Sequence, residues 1–361
     1  MKAIFKEPTE IPCILSENYF RSLNGFRAIA ILIVLISHFH LSDSYFYTLL
    51  FNGNLGVLIF FVLSGFLITT LCLKEKITTQ TINLKNFYIR RILRIFPVAY
   101  LFLFVIIILN YIYNLNISFV AILAAAFYVV NISSLFRAHY YTWYTGHYWS
   151  LSVEEQFYLI FPFILNWKFS LFYFMVIFIA AFLPVIVLFQ EYYPPLNSGF
   201  LYAFTHYFIK FQPISIGCLL AIWFFKFPNK ILKLRKFGLY INLIFPIIIF
   251  YLRYDNFFKL ENIISGLIAS LLVGCIVIIN IFPSNNYFYK LLNSKVLNVI
   301  GLCSYSIYIW QQIFTSSDGK LPNIITAFPI NIFFIALISL VSYYFFESYF
   351  LKFKTKFISK N

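Results

Sequence analysis

Charged residues are scarce in this chain of 361 residues. Asp, Glu, Lys and Arg make up 11% of it, whereas 62% of the residues are hydrophobic. Soluble domains are closer to half apolar and a quarter charged, so this composition excludes an ordinary soluble domain. Together with a mean hydropathy of +0.85, it predicts an all-α polytopic membrane protein.

Paired cysteines and metal-ligand motifs are also missing. The five cysteines lie far apart and form no Cys-x-x-Cys motif, which predicts free thiols buried in the membrane. The five histidines and twelve carboxylates show no metal-ligand spacing, so we expect no metal. The net charge is +15. Because the basic residues cluster between hydrophobic runs, they indicate membrane topology and no nucleic-acid partner.

Hydrophobic stretches follow one another along the whole chain. Eleven can be distinguished: 24–42, 54–73, 95–113, 117–136, 148–166, 169–190, 204–225, 238–252, 260–282, 297–316 and 328–350. The positive-inside rule places four basic regions in the cytoplasm. These are the N-terminus (Lys2, Lys6, Arg21), residues 74–94, residues 226–236 and the tail (Lys352, Lys354, Lys356, Lys360).

Two cytoplasmic termini require an even number of membrane crossings. We therefore predict about ten transmembrane helices plus one partial or re-entrant segment. The weakest candidates for crossing are 117–136 and 148–166, because the second carries several polar residues at membrane depth. No repeat or linker is visible, so residues 1–361 are predicted to form a single integral-membrane domain without an appended extracytoplasmic domain.

Arg27 and His38 are two ionisable residues of the first hydrophobic stretch. Eleven helical residues come to three turns plus roughly 20°, so the two side chains share one face, about 16 Å apart along the axis. Snorkelling explains Arg27 alone, and packing against a neighbouring helix explains His38 alone. The presence of both side chains on one helix face favours a functional site within the membrane. Asn24 adds a polar group to the same face.

A run of arginines marks the start of the third hydrophobic stretch. Arg90 and Arg94 stand four residues apart and share one helix face, and Arg91 lies beside them. A positive-inside anchor explains such a run. Two guanidinium groups on one face also suit the phosphates of a nucleotide-bearing donor.

Two adjacent carboxylates, Glu154 and Glu155, precede a run of apolar residues. Adjacent helical residues are about 100° apart, so only one of them faces a given cavity. Such a carboxylate would orient a histidine, pair with an arginine or bind a sugar hydroxyl, and the sequence leaves these three roles open. Trp149 and Tyr158 suit a sugar-stacking wall or an interfacial anchor, and His147 is a further candidate for substrate binding.

Small residues occur together in the second hydrophobic stretch at Ser64 and Gly65. Small residues let membrane helices approach each other closely, so we expect close helix packing there. Ser64 is no candidate nucleophile, because it lacks the Gly-x-Ser-x-Gly motif and an obvious base.

Five segments together resemble the membrane acyltransferase-3 family: LNGFRAIAILIVLISHF, FFVLSGFLIT, FYIRRILRIFPVAYL, HYWSLSVEEQFYLIFP and GLCSYSIYIWQQ. The family pattern has an Arg and a His separated by ten residues, as Arg27 and His38 are here. It also has an Arg-x-x-x-Arg element, matched by Arg90 and Arg94, and a Trp-Ser-Leu-x-Val-Glu-Glu-Gln element, matched by 149–156. Asn24 stands where the family usually has Asp, so a charge partner for Arg27 is lost.

The resemblance implies an O-acyltransferase of the inner (cytoplasmic) membrane, surrounded by membrane lipid. It would transfer acetyl from acetyl-coenzyme A to a hydroxyl of a cell-surface or exported carbohydrate or glycolipid. The implied roles place the proton transfer on His38 and donor orientation or charge stabilisation on Arg27. The remaining implied roles are phosphate binding by Arg90, Arg91 and Arg94, positioning by Glu154 or Glu155, and substrate binding by Trp149, Tyr158, His147 and Asn24.

Two routes for the acyl group stay open, direct transfer and a transient acetyl-histidine. The acceptor also stays open among O-antigen, capsule, exopolysaccharide, peptidoglycan and a small secreted molecule. The alternative function is a transporter or flippase of a lipid-linked glycan, which would carry buried Arg, His and Glu as well. The Arg90 and Arg94 pair and the lack of symmetric halves speak against it.

Overall fold

The computed structural model describes residues 5–17, 20–39, 52–132, 142–196, 198–254 and 261–354. Within these ranges the secondary structure is helical and no strand occurs. The α-helices are α1 (Arg21–His38), α2 (Gly53–Thr79), α3 (Leu84–Tyr113), α4 (Phe119–Ala126), α5 (Trp143–Gly146), α6 (Tyr148–Trp167), α7 (Phe169–Ile177), α8 (Leu183–Tyr192), α9 (Gly199–Phe208), α10 (Gln212–Lys226), α11 (Pro228–Leu234), α12 (Gly238–Tyr254), α13 (Glu261–Ile281), α14 (Tyr287–Leu292), α15 (Lys295–Leu302), α16 (Ser304–Phe314), α17 (Asn323–Thr326), α18 (Ile330–Val341) and α19 (Ser348–Lys354).

Short helical segments of other types join or interrupt these α-helices. Two are π-helical, Phe178–Phe182 between α7 and α8, and Ser342–Glu347 between α18 and α19. The 3₁₀ segments are Cys13–Leu15, Val130–Ile132, Pro194–Leu196, Ile209–Phe211 and Arg235–Phe237. Because the π-helical segments continue the helices on both sides, α7–α8 and α18–α19 each read as one long helix.

Eight helical segments of the described chain are long and apolar enough to cross a membrane. They are Arg21–His38, Gly53–Thr79, Leu84–Tyr113, Phe169–Tyr192, Gly199–Lys226, Pro228–Leu252, Ile263–Ile281 and Ile330–Phe353. This confirms an all-α polytopic membrane protein. The count of ten crossings and the cytoplasmic position of both termini stay predictions. Lys2, Lys356, Lys360 and parts of the stretches 24–42, 117–136 and 260–282 lie outside the described residues.

Three of the eleven hydrophobic stretches are absent from these eight segments. In 117–136 the described helix, α4, has eight residues and is about 12 Å long, too short for a hydrocarbon core about 30 Å thick. In 148–166 the helix α6 is continuous but carries the polar residues noted above. The stretch 297–316 divides into α15 and α16 at Cys303. The first two are the stretches that the sequence marked as the weakest.

Local sequence explains where several of these helices begin and end. Asn52, Asn83 and Ser118 cap the first turns of α2, α3 and α4, each accepting a hydrogen bond from a backbone N–H of that turn. Asn114 ends α3 in the left-handed conformation, with a φ of 49°, which asparagine adopts more readily than most residues. The polar residues between the apolar runs therefore define the helix ends.

The chain divides into two compact units. Unit 1 comprises residues 1–37, 41–82 and 160–302, and unit 2 comprises 38–40, 83–159 and 303–361. Helix α1 belongs to unit 1 except for its last residue, His38, which belongs to unit 2. The single domain predicted from the sequence stays a prediction.

Unit 1 is held together by close contact between α2 and α10. A Cβ atom on Gly65 would overlap the carbonyl oxygen of Ile214, and one on Gly217 would overlap the carbonyl oxygen of Val62. The two helices thus meet backbone to backbone, where only glycine fits. The close helix packing predicted at Gly65 is confirmed.

Unit 2 packs α3 against α6 and α16 through tyrosine hydroxyl groups. The hydroxyl of Tyr148 donates to the carbonyl oxygen of Ala99 at 2.7 Å, and the hydroxyl of Tyr305 donates to that of Ile95 at 2.6 Å. Because these bonds satisfy hydroxyl groups in an apolar interior, they fix the three helices in one register. Most of the candidate site residues lie on these helices.

Candidate active site

Arg27 lies in unit 1 and is held by the first turn of its own helix. Its guanidinium group donates to Oδ1 of Asn24 at 3.2 Å. Asn24 is buried and donates through Nδ2 to Oδ1 of Asn298 at 2.9 Å. The asparagine therefore orients Arg27 by hydrogen bonding although it carries no charge.

His38, at the last position of α1, lies in unit 2. Its ring meets the ring of Trp143 edge to face, with the centroids 5.5 Å apart and the planes at 73°. It also lies close enough to His147 for the two imidazoles to interact electrostatically. Two of the histidines singled out in the sequence are thereby brought together.

Trp143 is fixed in place by α16. Its indole N–H donates to the carbonyl oxygen of Gln312 at 2.9 Å, and Nε2 of Gln312 donates back to the carbonyl oxygen of Trp143 at 2.7 Å. Paired bonds of this kind leave the indole little freedom. The residue that His38 contacts is therefore bonded to α16 through both its indole and its backbone.

The loop after α16 is anchored beside Trp143. The hydroxyl of Tyr144 donates to the carboxylate of Asp318 at 2.9 Å, and Ser316 donates to it at 2.8 Å. Partial burial raises the pKa of Asp318, but hydrogen bonds from Ser316, the Lys320 backbone and Tyr144 outweigh it and hold that pKa below its usual range. An exposed, ionised carboxylate is thus held close to the residues that contact His38.

His147 is buried in an aromatic environment. Its ring centroid lies 5.1 Å from that of Phe102, 4.8 Å from that of Tyr148 and 5.7 Å from that of Tyr308. The hydroxyl of Tyr308 donates to the backbone carbonyl of His147 at 3.1 Å. Trp149, two residues further along, is partly exposed.

Arg91 forms the centre of the arginine cluster, defined here as Arg90, Arg91 and Arg94. Its guanidinium carbon lies 4.7 Å from the ring centroid of Tyr158, a cation–π distance. Arg91 also interacts electrostatically with Glu154, Glu155 and Arg94. The sequence left three roles open for the two glutamates. Of these, the structure favours pairing with an arginine.

Tyr158 requires a correction. The sequence left its ring two roles, part of a sugar-stacking wall or an interfacial anchor. The residue is 2% exposed and Arg91 lies over its ring. A buried ring covered by a guanidinium group presents no open face for a sugar. Its contact with Arg91 was missed because the two residues lie on helices far apart in the sequence.

Glu347 is a buried carboxylate that the sequence reasoning missed. It is 4% exposed and accepts a hydrogen bond from Ser306 at 2.8 Å. It also interacts electrostatically with Arg94. The signal was present, because a lone glutamate in the apolar stretch 328–350 is expensive and points to a function. For Trp143 and Tyr308 no such signal exists in a chain that is 22% aromatic.

A comparison of the sequence with known protein families is independent of this geometry. A family model described as an acyltransferase domain matches residues 20–351. The chain belongs to the acyltransferase-3 family. This confirms the resemblance of the five sequence segments, and all the site residues described above lie within the matched range.

Relatives within the acyltransferase-3 family extend beyond this chain. O-acetyltransferase OatA of Staphylococcus aureus strain NCTC 8325 / PS 47 is 29% identical over 360 residues, which cover 92% of this chain and 57% of OatA. The protein SACOL0978 of strain COL is 30% identical over 363 residues, which cover 92% of this chain and 58% of that protein. The chain thus spans less than two thirds of the length of these relatives. No solved structure matches it.

Proposed function

We propose that this acyltransferase-3 protein transfers an acyl group, most simply acetyl, from acyl-coenzyme A to a hydroxyl of a cell-surface or exported carbohydrate at the inner (cytoplasmic) membrane. The observation that carries the proposal is the position of His38, against the fixed ring of Trp143 and beside His147. An imidazole is the usual general base for a hydroxyl. Relatives named O-acetyltransferase support acetyl as the group transferred.

The reaction follows from a base placed at the acceptor hydroxyl. His38 takes the hydroxyl proton as the oxygen attacks the carbonyl carbon of the thioester. The carbon–sulfur bond then breaks, and the proton passes from His38 to the departing thiolate. The products are an acyl ester and free coenzyme A. Arg27, on the same face of α1, orients the donor and balances the developing negative charge.

The arginine cluster binds the phosphates of the donor. Guanidinium groups recognise phosphate oxygens in pairs. The ring of Tyr158 lies beneath the guanidinium group of Arg91, and Glu155 attracts that group electrostatically. Arg91 therefore positions the cluster, while Arg90 and Arg94 contact the phosphates. Glu347 beside Arg94 orients that side chain before the donor arrives.

The proposal is tested with purified protein in detergent. Acetyl-coenzyme A and surface polysaccharide extracted from the host are supplied, thiol release is measured, and NMR of the polysaccharide detects the new ester. We expect thiol release that depends on the polysaccharide and equals the ester formed. A transporter or flippase would release no thiol and form no ester, which would contradict the proposal.

Replacing Arg94 with glutamine is expected to raise the KM for acetyl-coenzyme A about tenfold with little change in kcat. The reason is the loss of one charge-assisted hydrogen bond to the donor, which binds equally before and during the reaction. Initial rates at varied donor concentration measure both constants. Lys85→Gln serves as the control, because Lys85 is an exposed cation near the start of the same helix. A fall in kcat at unchanged KM would assign Arg94 a different role.

A further inference from the structure

Two buried side chains of unit 2 have polar atoms that all lack a hydrogen-bonding partner among the described residues. Gln311 is 0% exposed and His147 is 6% exposed. Within the described part of the chain, neither polar atom of the Gln311 amide and neither ring nitrogen of His147 forms a hydrogen bond. Burial of polar groups without partners is unfavourable. Four such atoms on two neighbouring segments indicate a group that binds there from outside the chain.

Two amide pairs elsewhere show what such groups require. Asn242 and Asn280 exchange hydrogen bonds of 3.2 and 2.7 Å, and Asn131 and Gln156 exchange bonds of 2.7 and 2.9 Å. In each pair one amide satisfies another. Among the described residues, Gln311 is the one side-chain amide whose nitrogen and oxygen are both buried and unpartnered. The partner that suits it chemically is a further amide.

Helix α16 places Gln311 between two contacts with the His38 region. Tyr308 lies three residues before Gln311 and four before Gln312, so it neighbours each of them on the surface of this helix, although Gln311 and Gln312 themselves point about 100° apart. The hydroxyl of Tyr308 donates to the backbone of His147. Gln312 is bonded to Trp143, whose ring contacts His38. A group bound by Gln311 and His147 therefore lies beside the reacting imidazole.

The chemistry of the two side chains selects a secondary amide. A trans amide directs its N–H and its C=O to opposite sides, so one amide passing between Gln311 and His147 bonds to both. The aromatic surroundings favour a thin chain over a sugar, because Phe102 lies against His147 and against Trp310. A pyranose would bury several hydroxyl groups among these rings without partners.

We propose that Gln311 and His147 bind a secondary amide of the pantetheine arm of the acyl donor. This arm carries two such amides between the thioester and the phosphates. The proposal rests on the proposed function, in which His38 acts on a thioester. Gln311 and His147 then bind the donor near its reactive end, whereas the arginine cluster binds its phosphates.

The test compares two short donors on the full chain in detergent. One is the acetyl thioester of N-acetylcysteamine, which has a single amide at the pantetheine position. The other is the acetyl thioester of pentanethiol, in which methylenes replace that amide. We expect wild-type kcat/KM to be about 10- to 100-fold higher for the donor with the amide, since its loss leaves buried groups unpaired. Gln311→Met removes this preference, so that the kcat/KM values for the two donors become about equal.

The controls separate binding from folding. Gln190→Met removes the amide of another buried glutamine, one whose oxygen is bonded to Thr205 at 2.6 Å, and we expect the donor preference to persist in it. An equal loss of rate with both donors in Gln311→Met would mean a structural role and would overturn the proposal. If Gln311→Met fails to fold, the wild type still decides, because a wild type without a preference contradicts the amide site.

Failure of the wider function has a different signature. If wild-type protein releases no thiol from acetyl-coenzyme A, the acyltransferase function fails before any donor preference is measured. The arm itself has two sources, free coenzyme A and an acyl carrier protein, and turnover with acetyl-coenzyme A and with an acetylated carrier protein distinguishes them. In both cases Gln311→Met lowers the kcat/KM of the donor in use about tenfold or more, and an undiminished value would overturn the proposal.

Discussion

Replacement of His38 with alanine is expected to lower kcat for acetyl transfer about a thousandfold. A positioned general base contributes on the order of 10²–10⁴ to such a step, and the described structure places His38 against Trp143 and near His147. Without the imidazole, the acceptor hydroxyl keeps its proton and attacks the thioester poorly. Thiol release from acetyl-coenzyme A, measured with saturating polysaccharide, gives kcat for both proteins.

A second histidine provides the matched control for this experiment. His206 belongs to unit 1, is 29% exposed and bonds through Nε2 to Glu191 at 2.9 Å. His206→Ala removes an imidazole from the same protein but from unit 1, and we expect an unchanged kcat. Normal turnover in His38→Ala, or the same loss in both variants, would refute the assignment of His38 as the base.

Replacement of Gly217 with leucine is expected to destabilise the protein by about 3 kcal/mol, at the upper end of the usual cost of overpacking. A side chain at this position would overlap the carbonyl oxygen of Val62 and the backbone nitrogen of Phe66. Because backbone atoms cannot turn aside as a side chain does, α2 and α10 must separate. Thermal unfolding and size-exclusion chromatography in detergent measure the loss.

Gly266 is the matched control for Gly217. It also lies within a helix, α13, but a Cβ atom placed on it has no neighbour within 4 Å. We expect Gly266→Leu to leave the unfolding temperature nearly unchanged. This result would show that adding a leucine side chain to a helix does not by itself account for the loss at Gly217. Equal unfolding temperatures for the two variants would argue against close packing of α2 on α10.

Much of the site could be predicted from the amino-acid sequence. Arg27 and His38 share a helix, and their spacing alone places them on one face. Arg90, Arg91 and Arg94 form a basic run that is evident in the sequence. Such features are local, because they depend on the helical period and on the scarcity of charge in apolar segments.

Other residues of the site could not be predicted from the residues next to them in the sequence. Gln312 and Trp143 are bonded across 169 sequence positions, and the contact of Tyr158 with Arg91 joins α6 to α3. Helical periodicity limits which side chains share a face, but it does not say which two faces meet. The sequence accordingly left Tyr158 as a sugar-stacking residue or an interfacial anchor, whereas the packed protein buries it beneath Arg91.

The sequence by itself determined the membrane class, the helical secondary structure and the pairing of Arg27 and His38 on one helix, because composition and the helical period act over short distances. Only the tertiary structure decided which residues become neighbours: Arg91 for the glutamates of α6 and Trp143 for His38. It also buries the Gln311 amide without a hydrogen-bond partner among the described residues. The physical reason is that these contacts depend on how helices pack, and close fits such as Gly65 against α10 set that packing.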